Sequence, residues 1–103
     1  MSLDVYEFKK LPKRDIEAFK KLDRYTRINA FPYLENRNIE AFKLIDEYDR
    51  ERVFEYLDYK DIEAFKLLRS YAREQLFYLL DHKSLEAFKL IDKYQRKEAL
   101  SSI

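Results

Sequence analysis

Residues 38–48 read NIEAFKLIDEY, and close copies begin at Asp15 (DIEAFKKLDRY), Asp61 (DIEAFKLLRSY) and Ser84 (SLEAFKLIDKY). Each start lies 23 residues after the last, and the period holds beyond the copied segment. All eight phenylalanines fall on two ladders of that spacing, Phe19, Phe42, Phe65 and Phe88 on one and Phe8, Phe31, Phe54 and Phe77 on the other. A fixed period of this length is the signature of a stacked repeat protein. The chain divides into a leading half unit at 1–14, units at 15–37, 38–60 and 61–83, and a decayed unit at 84–103. In the last of these, Leu100 stands where Phe stood and Ser101 and Ser102 replace bulkier residues, the polar drift expected of a cap.

Composition bounds the rest. A chain of 103 residues fits one domain, and 47% hydrophobic with 17% aromatic residues is enough to build a core. Lys and Arg total 21 against 20 Asp and Glu, so long-range attraction of a polyanion is weak and nucleic acid is an unfavoured partner. With no Cys there is no disulfide framework, no thiolate nucleophile and no thiolate zinc site, which suits a reducing, cytoplasmic location. The longest apolar run, LFYLL at 76–80, is far short of the roughly 20 residues that span a bilayer, and no signal-peptide pattern opens the chain.

Within a unit the residues predict two helices. Asp15, Asn38, Asp61 and Ser84 are N-cap types whose side-chain oxygens accept from the unpaired N–H groups of a first turn. From the cap, Ile39, Phe42, Ile45 and Tyr48, and then Ile62, Phe65, Leu68 and Tyr71, recur at helical spacing as a core stripe. The opposite face carries Glu40 with Lys43 and Glu63 with Lys66, three apart. The second half contributes Val53, Phe54 and Leu57, then Leu76, Phe77 and Leu80, on a different bearing. One helix through both halves would bury Asp49 and Arg52, or Ala72 and Gln75, so a break is expected near Asp49 and Ala72. Pro32 agrees with a second helix capped by Asn29, because deep in a long helix proline would cost about 3 kcal/mol. Pro12 likewise marks the end of the second helix of the leading half unit. The chain has no Gly, so one longer helix per unit is the alternative. The expected fold is an all-α, short helical-repeat solenoid in which each unit is a pair of antiparallel helices of about ten residues, too short to stand alone and stable only when stacked.

NIEAFKLI, DIEAFKLL and SLEAFKLI resemble the second helix of an ankyrin repeat, with Asn or Asp, an aliphatic residue, Glu, two apolar residues and Lys ahead of a Leu pair. The resemblance covers about eight residues in each of the four units. The ankyrin Thr-Pro-Leu-His start, the turn glycines and the finger residues are absent, and the period is 23 rather than the ankyrin repeat's own. The resemblance implies a protein-binding solenoid whose inner helices, here the second helix of each unit, face a partner.

Six residues form the candidate partner-binding face: Arg52, Glu55 and Tyr59, with Gln75, Tyr78 and His82 at the same positions one unit on. They vary while the core positions repeat, and Tyr and Arg are frequent interface anchors. The bland alternative is solvated surface with tyrosines lying over the core. Arg27, Arg50, Arg73 and Arg96 share one repeat position. A ladder for acidic ligands is conceivable there, but bonds to the last carbonyls of the first helix, or ion pairs with a neighbouring unit's Glu, are the favoured reading. His82 is the only histidine, no Glu-x-x-His metal pattern occurs and no glycine loop exists to cradle phosphate, so neither an enzyme nor a metal or other cofactor is expected. A binding module for a protein partner is therefore the expected function. A self-associating protein is the alternative, with Leu3, Val5 and Phe8 at one end or Leu100 and Ile103 at the other controlling assembly; a repeat that reads RNA is less favoured.

Overall fold

The computed structural model describes residues 3–100, and among these the regular structure is helical throughout. The leading half unit contributes α1 (Val5–Lys9). The next three units contribute α2 (Ile16–Lys20) with α3 (Arg24–Ala30), α4 (Ile39–Lys43) with α5 (Arg50–Val53), and α6 (Ile62–Lys66) with α7 (Ser70–Leu76). The last unit holds α8 (Leu85–Phe88) and α9 (Arg96–Leu100). Tight 3-10 turns extend the second helices at Phe31–Tyr33, Phe54–Tyr56 and Phe77–Leu79. Each unit is thus a pair of short helices, and the single long helix is not formed. Ser101, Ser102 and Ile103 lie outside the described residues.

All four expected caps form: Asp15, Asn38, Asp61 and Ser84 accept from the N–H groups of Ala18, Ala41, Ala64 and Ala87 at 3.0 to 3.1 Å. The break, however, comes earlier than expected. α4 and α6 stop at Lys43 and Lys66, and the next residue bends back in a tight turn whose N–H serves two carbonyls, Leu44 to Ala41 and Phe42 and Leu67 to Ala64 and Phe65. This turn drives Leu22, Ile45, Leu68 and Ile91 into the core. As a result Tyr48 and Tyr71, assigned to the core stripe, are exposed. Ala72 sits inside α7 rather than at a break, and both it and Asp49 are buried. The second helix of the first complete unit is capped by Asp23, not Asn29, which lies within α3. Pro32 occupies the start of the 3-10 turn, where its missing N–H costs little.

The chain passes from helix to helix without glycine and without any residue at positive φ among those described. After each 3-10 turn the backbone steps directly into an extended conformation, at ψ 145° for Leu34, 139° for Leu57 and 136° for Leu80. These leucines are buried, so the exit from the helix is held by packing.

Stacking follows from these pieces. α2 packs on α4 and α4 on α6 in one layer, while α1 packs on α3 and α7 on α9 in the other. Between the layers the phenylalanines interleave in chain order from Phe8 to Phe88, with successive ring centres 6.1 to 6.4 Å apart and nearly all pairs edge-to-face. Edge-to-face pairs add about 0.5 to 1.5 kcal/mol each beyond the area they bury. The molecule measures 45 × 21 × 17 Å, a short rod whose units rise by about 10 Å, the separation of packed helices.

Candidate functional site

The six candidate residues are all exposed. Arg52 lies on α5 and Gln75 on α7, Glu55 and Tyr78 sit in the following 3-10 turns, and Tyr59 and His82 on the loops beyond. Those loops are tied side by side. The Asp81 N–H donates to the Lys60 carbonyl at 3.0 Å, and the Lys60 N–H donates to the Asp81 carboxylate at 2.7 Å. Tyr59 precedes Lys60 and His82 follows Asp81, so the fold brings these two side chains onto adjoining loops. The same rung joins Arg37 to Asp58 and Arg14 to Glu35. His82 also borders a groove of about 340 Å³ with Asp61, Ile62, Asp81, Ser84 and Glu86. Asp61 and Ser84 are engaged there as helix caps and Asp81 in the rung. Among the described residues no group of three or more His, Asp or Glu is arranged to hold a metal ion.

The arginine ladder is built into the frame. Arg27, Arg50, Arg73 and Arg96 each donate to the carbonyl ending their own first helix, Lys20, Lys43, Lys66 and Lys89, at 2.8 to 3.4 Å. The first three also reach forward to the next unit, donating to the carbonyls of Leu44, Leu67 and Leu90 at 2.9 to 3.1 Å. A guanidinium therefore satisfies helix-end carbonyls that a left-handed glycine would otherwise serve, and clamps two units while doing so. Burial lowers the pKa of Arg73 from the ordinary value, yet the group stays charged because arginine titrates so far above neutrality.

Between the first complete unit and the second, Arg24 donates to Asp49 at 2.9 Å and pairs with Asp46 at 3.4 Å, and the hydrogen bond to Asp49 raises the Arg24 pKa. That pairing is what allows Asp49 to be buried. Arg24 and Asp46 edge a polar cleft of about 480 Å³ that Arg27, Lys43, Glu47 and Arg50 also line, and its arginines are committed to carbonyls and carboxylates. Arg69 donates to Glu51 at 2.6 Å, a bond that raises the Arg69 pKa, and its guanidinium lies 4.8 Å from the Tyr48 ring centre and 5.2 Å from that of Tyr71.

Tyr25, Tyr48, Tyr71 and Tyr94 thus form a surface ladder, of which Tyr48 and Tyr71 are the two that helical periodicity assigns to the core stripe. The signal was Asp46 and Asp92, whose side chains accept from the Tyr48 and Tyr94 N–H groups in turns that end the helical register. Every tyrosine in the chain is at least 41% exposed, and Tyr94 reaches 84%. No family model matches the chain, nor does any curated protein or solved structure.

Proposed function

We propose that the protein is a non-enzymatic binding module that takes a protein partner on the exposed face of its second helices, with Arg52, Glu55, Tyr59, Gln75, Tyr78 and His82 as the recognition set. One observation carries the reading. Phenylalanine and tyrosine differ by a hydroxyl, yet the phenylalanines fill the interior and all nine tyrosines face outward. Tyrosine offers a large, rigid, amphipathic contact at low entropic cost, the property that makes it a frequent interface anchor. Residue variation at Arg52, Glu55 and Tyr59 against Gln75, Tyr78 and His82, on a frame of repeated clamps, is how stacked repeats alter what they recognise. The likeness of NIEAFKLI to the second ankyrin helix supports the same assignment of faces. The lack of cysteine supports a reducing compartment such as the cytoplasm. No helix among the described residues is long and apolar enough to cross a membrane.

Panning a random peptide display library on the intact protein tests the face. Peptides selected on the wild type are expected to lose at least tenfold in affinity for the Tyr59→Ala/Tyr78→Ala variant, with circular dichroism and Tm unchanged, since both side chains are exposed. Undiminished affinity, or a loss seen only with Tyr48→Ala/Tyr71→Ala, would exclude the second-helix face.

A further inference from the structure

Along the edge that carries Tyr25, Tyr48, Tyr71 and Tyr94, an arginine of the chain itself fills each of the first two gaps between successive units. Between the first and second complete units, Arg24 donates to Asp49 at 2.9 Å, pairs with Asp46 at 3.4 Å and lies 5.6 Å from the Tyr25 ring centre. Between the second and third, Arg69 donates to Glu51 at 2.6 Å, with its guanidinium 4.8 Å from the Tyr48 ring centre and 5.2 Å from that of Tyr71. Arg24 reaches forward and Arg69 reaches back. What recurs is therefore the guanidinium in the gap, not the repeat position that supplies it.

The next gap, between residues 61–83 and the last unit, keeps the acceptor and the rings without the cation. The position of Arg24 is Ser70 in the unit before this gap, and the position of Arg69 is Asp92 in the unit after it. Glu74 stands where Glu51 does, and Tyr71 and Tyr94 stand where Tyr48 and Tyr71 do. Glu74 is half-buried and makes neither a hydrogen bond nor an ion pair among the described residues. A carboxylate drawn part-way out of water without a partner is a cost that a bound cation offsets. The Asp92 carboxylate accepts from the Tyr94 N–H at 2.9 Å through one oxygen and brings a second negative charge. Lys93, at the Arg24 position of the last unit, lies 5.2 Å from the Tyr94 ring centre and forms no ion pair among the described residues.

We infer that this gap binds an arginine side chain of a partner protein, paired to Glu74 and Asp92 and stacked on Tyr71 and Tyr94. Arg69 shows within the chain what the same positions hold one unit earlier. A planar, weakly hydrated guanidinium can meet a carboxylate with its edge and a phenol ring with its face at once, which suits arginine. Two carboxylates and no committed cation give the gap the charge complementary to a basic segment. The edge is open, with Tyr94 84% exposed, so the guanidinium arrives on the stem of another chain and is not enclosed as a free small molecule. This site is separate from the recognition set of the second helices and does not depend on it.

Titration of the isotope-labelled full chain with acetyl-Gly-Arg-Gly amide, followed by two-dimensional NMR, tests the site. Saturable shifts are expected at the backbone N–H groups of Tyr71, Glu74, Asp92 and Tyr94. The same peptide with citrulline for arginine, similar in shape but uncharged, should bind about tenfold more weakly, because the ion pairs and the cation–π contact are lost. Glu74→Gln should weaken binding by a similar factor. Asp92→Arg, which supplies the guanidinium from within as Arg69 does, should abolish it, and both variants should keep the circular dichroism of the parent. Arg69→Ala empties the middle gap and should add a second set of shifts at Tyr48 and Glu51. Tyr59→Ala/Tyr78→Ala should leave this binding unchanged, so the two sites stand or fall separately. The inference is overturned by the absence of saturable shifts at Glu74 and Asp92, by equal binding of the citrulline peptide, or by full binding to Glu74→Gln or Asp92→Arg. Arg69→Ala without new shifts in the middle gap overturns it as well.

Discussion

Arg50 shows how much a single side chain is asked to do. Its guanidinium donates to the carbonyls of Ile45 and Lys43 in its own unit and of Leu67 in the next. Three acceptors in fixed directions suit a planar fork of donors and do not suit a point-like ammonium. Arg50→Lys should therefore cost about 1 to 3 kcal/mol despite keeping the charge, because carbonyls at a helix end are left unpaired. Urea denaturation followed by circular dichroism measures it, and a loss below about 0.5 kcal/mol, ordinary for an exposed substitution, would show that the clamp is idle. The separation of Phe from Tyr obeys the same rule of satisfaction, since a phenol in the sealed stack would need a partner for its hydroxyl that the surrounding rings do not provide.

At the scale of the element, the second helices show what repetition implies about backbone. Phe31 precedes Pro32 with φ −50° and ψ −45°, and Phe54 precedes Glu55 with φ −53° and ψ −39°. The two turns are nearly superposable in dihedral terms, so proline at 55 fits a conformation the chain already uses. Glu55→Pro should shift stability by less than about 1 kcal/mol. Ala64→Pro, which deletes the N–H that the Asp61 side chain caps in α6, should cost about 3 kcal/mol or more. Thermal melts of the two variants compare them directly, and an equal loss in both would mean that the 3-10 turn is not the stress-free site its repeat-mate suggests. Caps and apolar spacing made the first helices legible from residues alone. Their length was not, because Ile45 continues a helical stripe as readily as it occupies a turn, and burial in either case satisfies the pattern.

At the scale of the molecule, each unit contacts mainly its neighbours, so stability is a sum of units and interfaces. Inserting a second copy of residues 38–60 after Lys60 should lengthen the rod by about 10 Å, one helix-packing distance, and raise its Tm. Small-angle scattering and calorimetry test the two halves of that statement; a lower Tm would mean that the stacked units do not act as interchangeable parts.

The 23-residue period determined that the chain is a helical stack, which residues cap its first helices and that the two phenylalanine ladders build its core, since caps and apolar spacing act over a few residues. Contacts across units decided the rest. Asp49 is buried because Arg24 of the preceding unit meets it, and the Arg50 clamp is complete only when Leu67 of the following unit arrives. Tyr48 faces water because the chain turns at Leu44 to bury Ile45. Where a helix stops, and which face is left outside, depends on groups distant in sequence that must be brought together before either can be satisfied.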